Sequence, residues 1–207
     1  MALNNFDNLV KSIINWSHRP DLGELIPDFI QLAENAMYAN QDENLKVRSM
    51  EFISTSTTNG KYLALPDYYE SARGIRLTVD GNPDLVYKTP EAMKRRPASG
   101  LPQFYTILGN QIEFDRTPDT GYTIELQYYR KALPLTESNQ TNEVLTDYPD
   151  LYLSGALVEL FTHSQDYQQQ QIYKQRFIAA IKGANKSDKR GRFGVAPQIS
   201  VDIGMIV

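Results

Sequence analysis

The chain has 207 residues, 41% hydrophobic and 22% charged, with no cysteine and a formal net charge of -4. That length buries a proper core unaided, and the composition excludes a collagen-like, coiled-coil or wholly disordered chain as well as a disulfide framework or a thiolate metal site. The acidic balance argues against a general nucleic-acid binder, yet between Lys182 and Arg192 five basic residues meet the single acid Asp188.

Taken in order, the first forty residues predict two helices. Asn4 or Asn5 can cap the first, and Phe6, Leu9, Val10, Ile13 and Ile14 recur at the spacing of one helical face until Arg19-Pro20 stops it. Pro27 and Asp28 suit the first turn of a second helix, with Phe29, Ile30, Ala33, Ala36 and Met37 as its apolar stripe. The short connection predicts an antiparallel pair.

From about Val47 the period falls to two, and a meander of short strands is expected. The candidates are Met50–Thr55, Lys61–Leu65, Ile75–Val79, Leu85–Lys88, Phe104–Leu108, Gln111–Phe114 and Tyr122–Tyr129. Asn59-Gly60, Asp80-Gly81 and Gly109-Asn110 fall where tight hairpin turns would go. In the last strand Ile124, Leu126 and Tyr128 alternate with Thr123, Glu125, Gln127 and Tyr129. Thr89-Pro90 predicts a short helix carrying Met93 and ending before Pro97.

A polar loop from Pro134 to Asp147 leads to a helix opened by Pro149, with Leu153, Ala156, Leu157, Leu160 and Phe161 on its apolar face. Tyr173, Phe177, Ile178 and Ile181 form the next face, and Gln168 to Gln171 read as a solvated or partner-facing helix surface rather than low complexity. The fold class expected is α+β: a helical bundle from both chain ends, an inserted antiparallel β domain and an extended C-terminal tail. The divisions are 1–46, 47–131, 132–192 and 193–207.

The tail, Phe193 to Val207, has Asp202 as its only charged side chain, while Val195, Ile199, Val201, Ile203, Ile206 and Val207 favour an extended strand. Burying these with Met205 contributes roughly 10–20 kcal/mol, whereas fixing the backbone costs about 15–30 kcal/mol. Strand hydrogen bonds to a partner, or many copies binding at once, would have to close the difference. The alternative is an edge strand folded back on the chain's own sheet.

Chemistry is sparsely signalled. Phosphate-binding loops, glycine fingerprints, nucleophile elbows and metal-binding helices are missing, so no catalytic residue, cofactor or metal is assigned. His18 beside Arg19 and His163 near a helix end suit structural roles. Glu159 and Asp166, seven apart, are spaced by two helical turns and could be imagined as a hydrolase pair. Tyr68-Tyr69 and Tyr128-Tyr129, with Arg73, Arg76 and Arg130 nearby, could stack on bases or sugars, but an interface is the better fit for tyrosine. No apolar run approaches the roughly 18 residues of a membrane helix and no basic-then-apolar leader opens the chain, so no membrane partner is expected.

Three stretches carry a resemblance. They are Trp16-Ser17-His18-Arg19-Pro20-Asp21-Leu22 with Ile26-Pro27-Asp28-Phe29-Ile30-Gln31-Leu32-Ala33-Glu34; Tyr128-Tyr129-Arg130 leading into Leu133-Pro134-Leu135; and the helical pair Tyr152 to Ile181, containing Gly155-Ala156-Leu157 and Asp166-Tyr167. In these the chain resembles the head-to-tail adaptor (connector) proteins of tailed bacteriophages. The resemblance implies a structural virion protein, not an enzyme, assembled in the host cytoplasm into a homo-oligomeric ring of twelve copies at the head-tail junction. Such a ring sits below the portal protein, docks tail proteins of the nozzle or tail tube, and passes genomic DNA through its lumen without sequence-specific binding. It also implies a portal-binding segment made of Arg190, Arg192, Phe193, Val195, Ile199, Val201, Ile203, Met205, Ile206 and Val207. A tail-associated cell-wall hydrolase and a sugar- or protein-binding β module are the alternatives.

Overall fold

The computed structural model describes residues 3–39, 43–58, 60–79, 81, 83–94 and 98–193, with side chains described as far as residue 188. The chain is a mixture of helix and sheet, and its contacts divide it into two units at Arg48/Ser49 and Leu133/Pro134.

The helical unit contains α1 (Phe6–Ser17), α2 (Ile26–Tyr38), α3 (Glu143–Asp147), α4 (Pro149–His163) and α5 (Tyr167–Phe193). Asn5 caps α1, its side chain accepting the Asn8 N–H at 2.8 Å, and Phe6, Leu9 and Ile13 are buried as the periodicity requires. His18 closes the helix in the left-handed region at φ 54°. Helices α1 and α2, expected as an antiparallel pair, share a small contact. A 3-10 helix, Pro20–Leu25, separates them, they touch little, and α4 is the element against which both pack. The reason is written in α4 itself, where every residue from Leu151 to Leu157 is buried, so its apolar surface runs all round instead of forming one stripe.

Two features of this unit depart from the sequence reading. Within the polar loop Pro134 to Asp147 lies α3, capped by Asn142 and held by the buried Val144 and Leu145. Helix α5 is one 27-residue element that takes in the glutamine run, the basic run and Phe193. Its inward residues Phe177, Ile181 and Ala184 are buried, whereas Tyr173 and Ile178 are half-buried. Asn185 fastens its later part, donating to Glu43 and to the Asn44 carbonyl and accepting the Lys46 N–H at 2.9 Å.

The β unit holds two sheets: a three-stranded one ordered β1 (Glu51–Thr58), β7 (Tyr122–Arg130), β3 (Tyr69–Leu77), and a four-stranded one ordered β2 (Tyr62–Ala64), β6 (Gln111–Phe114), β5 (Phe104–Leu108), β4 (Val86–Tyr87). The alternation in β7 decides the first sheet, since Ile124, Leu126 and Tyr128 enter the core while β1 and β3 pair on either side. The wholly antiparallel sheet expected is corrected at one place, where β4 runs parallel to β5. Gly109-Asn110 makes the expected hairpin, with Leu108 opposite Gln111 and Gly109 at φ 57°, and the stretch that holds Asp80-Gly81 is flanked by antiparallel pairing, Arg76 bridging Asp84, the Leu77 N–H on the Pro83 carbonyl at 3.1 Å and the Leu85 N–H on the Ile75 carbonyl at 2.8 Å. Strands β1 and β2 belong to different sheets, so the stretch at Asn59-Gly60 joins no hairpin; Asn59, Asp80 and Pro97 lie outside the described residues. The expected helix at Thr89-Pro90 is a single turn closed by the Ala92 N–H on the Thr89 carbonyl at 3.0 Å, with Met93 buried beyond it.

Candidate functional site

No described residue places a catalytic constellation. Glu159 stands on α4, half-buried, and burial raises its carboxyl above the usual range. Asp166 is the cap of α5, its side chain accepting the Gln169 N–H at 3.1 Å and its carbonyl the Gln170 N–H at 3.0 Å. The two expected helical turns between them are corrected to a break at Ser164-Gln165-Asp166, where Gln165 adopts φ 59°. His163 ends α4 with its ring 5.6 Å from that of Phe29. Among the described residues no group of three or more His, Asp or Glu could hold a metal ion, and no helix is long and apolar enough to cross a membrane.

The tyrosine–arginine clusters of the β unit serve the fold. Tyr69 stacks on Tyr128 with centroids 5.9 Å apart, and burial pushes its phenol up to about 12. Arg130 lies 3.8 Å over the Phe52 ring, Arg73 pairs with Glu51 at 2.6 Å, and Arg76 reaches Asp84 and Glu125. Tyr68 sits in a turn at φ 58°, so Tyr68-Tyr69 is not a strand pair.

Exposed large apolar side chains occur on both units, among them Trp16, Leu32 and Tyr167 on the helical one and Ile53, Tyr62 and Val86 on the β one. A groove of about 640 Å³ runs between α5, the start of α4 and the end of α1, with Trp16, Tyr148 and Tyr173 among its walls. Trp16 is 49% exposed, and the Arg176 guanidinium stands 5.8 Å from its ring and 5.7 Å from that of Tyr173. Along the floor Ala179, Ala180 and Gly183 keep α5 low. Asp150 also lines the groove, and no ion pair joins it to Arg176. The available signal for this groove was the chain's one tryptophan, two helical turns after Leu9 and beside the buried face of α1.

Beneath the surface sits a polar chain that hydropathy alone did not disclose. Glu34, 8% exposed, accepts the Leu135 N–H at 2.9 Å and the Tyr152 O–H at 3.1 Å. The Asn142 amide donates to the Tyr152 oxygen at 2.7 Å while its own oxygen caps α3 on the Leu145 N–H at 2.8 Å. With no cation in the network, burial pushes the Glu34 carboxyl up to about 7. Burial likewise drives the Tyr152 phenol well above its usual value, the neighbouring Glu34 adding to the effect.

The expected portal-binding segment is placed only at its beginning. The backbones of Arg190, Arg192 and Phe193 belong to the last turns of α5; Val195, Ile199, Val201, Ile203, Met205, Ile206 and Val207 lie outside the described residues. Lys182 and Lys186 are exposed, while Asp188, the one acid of the run, accepts the Arg48 N–H at 2.8 Å. Comparison with known proteins gives one result of wide coverage: the family model described as SU10 adaptor protein matches residues 4–198. No curated protein matches the chain.

Proposed function

The chain belongs to the SU10 adaptor protein family, structural components of phage virions, and on that premise we propose that it acts at the head-tail junction as a ring beneath the portal. Twelve copies close the ring, extend the DNA channel and offer a platform to nozzle or tail-tube proteins. Its work is geometric and not enzymatic, and the genome passes without sequence-specific contact. Assembly takes place in the host cytoplasm. The family match across residues 4–198 is the observation that carries this reading.

Two physical features support it. A unit with α4 buried at its centre gives a rigid block suited to repetition around an axis. The C-terminal sequence, Phe193 to Val207, is apolar beyond what a solvated end needs, and its first residue, Phe193, ends the helix that carries Arg190 and Arg192. In this reading those two arginines and Phe193, Val195, Ile199, Val201, Ile203, Met205, Ile206 and Val207 attach each copy to the portal. Twelve simultaneous attachments offset the ordering cost that one segment does not recover alone.

Electron microscopy of the protein mixed with its cognate portal rings tests the proposal. Rings of added density below the portal are expected from the full chain, and bare portals from a chain lacking residues 194–207 that is nevertheless folded by circular dichroism. Bare portals with the full chain overturn the adaptor ring; normal decoration by the shortened chain overturns the role given to the C-terminal segment.

A further inference from the structure

Gly183 stands well inside α5, where glycine costs a helix stability relative to alanine, yet a Cβ built on it meets nothing within 4 Å. Packing within the protomer therefore does not call for glycine. Its exposed side belongs to the groove that Trp16, Tyr148 and Tyr173 wall, with Ala179 and Ala180 beside it. By helical spacing this side of α5 continues through Ser187 and Gly191, so a track free of bulky positions runs from Ala180 into the last turn. Such a track lets a second stretch of backbone lie close against the helix.

The two charges lining the groove sit apart along it. Arg176 belongs to the end with Trp16 and Tyr173 and forms no ion pair among the described residues. Asp150 follows Tyr148 by two residues, and Tyr148 feels Asp188, so this acid belongs to the end nearer the close of α5. The chain supplies an occupant of matching pattern. Fourteen residues follow Phe193, mostly apolar, with Asp202 as their only charge. Gly194 stands just past the helix, where a left-handed residue commonly reverses the chain. The nine residues from Phe193 to Asp202 span about 30 Å when extended, and the seventeen from Arg176 to Phe193 rise about 26 Å along α5. One residue spent in the turn closes the difference. Doubled back, the segment sets Asp202 level with Arg176, Ile199 level with Gly183 and Ile203 level with Tyr173, while the uncharged stretch Val195 to Gln198 passes the acid.

We propose that the groove is the seat of the chain's own C-terminal segment in the free protomer, Gly194 to Val207 doubling back along α5 with Asp202 on Arg176 and Ile199 over Gly183. The inference goes beyond the ring reading and does not need it, since it concerns a chain attached to nothing. The ordering cost of the segment keeps the seat reversible. On the ring reading, the same segment then leaves the groove for the portal, which must bind it better than the groove does.

The chain has no cysteine, so two introduced thiols read the contact directly. The full chain carrying Ala180→Cys and Val201→Cys, folded by circular dichroism, is mildly oxidised at low concentration without portal and resolved on a non-reducing gel. A disulfide within one chain is expected to form about tenfold faster than in the pair Lys182→Cys with Val201→Cys, because Lys182 lies on the other side of α5 from Ala180. Ala179→Cys, exposed in the same groove, is a second anchor with the same expectation. Adding Asp202→Lys should slow the link roughly two- to fivefold, and Arg176→Glu combined with it should restore the rate. Equal rates for the groove and control pairs, or a rate indifferent to both charge changes, overturn the proposal. Links formed only between chains also overturn it and assign the groove to a second copy. With no portal in the experiment, each of these outcomes leaves the ring reading to its own test.

Discussion

Gly155 of α4 approaches Ala33 of α2 so closely that a Cβ built on the glycine would stand 2.8 Å from the Ala33 Cβ and 3.0 Å from Cε2 of Phe177 on α5. Three helices meet where one residue has no side chain. The Gly155→Ala variant gains helix propensity of about 1 kcal/mol, but it must push apart two packed neighbours at a cost of about 1–3 kcal/mol or more. Net destabilisation is expected in urea unfolding followed by Trp16, the only tryptophan, which reports on this unit. Adding Ala33→Gly should recover part of the loss, because the overlap it removes is the larger one. Two independent, additive losses in that cycle would show that the close approach does not limit stability.

Glu34 makes stability depend on pH in a direction opposite to that of a salt-bridged acid. Its carboxyl stands at about 7 in the fold against an ordinary 4.5, so the native state holds the extra proton between these values. The stability this proton confers is complete below about pH 4.5 and is lost as pH rises through 7, by up to about 3 kcal/mol. Glu34→Gln keeps an oxygen for the Leu135 N–H and the Tyr152 O–H and has nothing to titrate. The variant should therefore gain on the parent chain as pH rises from 5 to 8. An equal difference between the two proteins at both ends of that range would contradict a buried, uncompensated carboxyl.

The parts of the fold legible in the sequence are those decided by neighbours in the chain. Strands β5 and β6 fall on the expected residues because Gly109-Asn110 joins them locally. The division into two sheets was not legible, since β1 and β3 both pair with β7, far along the chain, and no local pattern records a distant partner. Helix α3 escaped because five residues show no period, and β3 begins at Tyr69, not Ile75, across two register irregularities that break its alternation. The candidate surface was legible as charge, in Lys182 to Arg192, but not as a groove. Glu34 did leave a trace: it stands four after Ile30 and three before Met37, an acid on an apolar face, which a carboxylate tolerates only with internal partners.

Asn5 and Asn142 both cap helices, and their removal should not cost the same. Asn5 accepts one N–H near the surface, so Asn5→Ala is expected to lose about 1 kcal/mol. Asn142, 7% exposed, caps α3 and also donates to Tyr152, whose hydroxyl in turn serves Glu34. Its replacement by alanine orphans the Leu145 N–H and a Tyr152 oxygen lone pair in a buried site, at about 1–3 kcal/mol each. Thermal unfolding of the two variants side by side should rank Asn142→Ala well below Asn5→Ala; equal losses would mean that the buried chain adds nothing to the cap.

In the β unit the corresponding anchor is Asp115, which is fully buried at the end of β6. Its Oδ1 accepts the N–H groups of Gln103 and Phe104 at 2.9 and 3.2 Å, and Oδ2 lies 3.4 Å from Nε of Arg116. These bonds fix the entry of β5 against the exit of β6 at the end opposite the Gly109-Asn110 turn. Alanine there leaves two part-buried donors without that oxygen, so Asp115→Ala should cost about 1–3 kcal/mol. Asp115→Asn retains an acceptor oxygen in the same place and should lose roughly half as much, the remainder reflecting charge lost beside Arg116. Urea unfolding followed by far-ultraviolet circular dichroism separates the cases. An asparagine variant as damaged as the alanine one would locate the anchor in the carboxylate charge instead of in the backbone bonds it accepts.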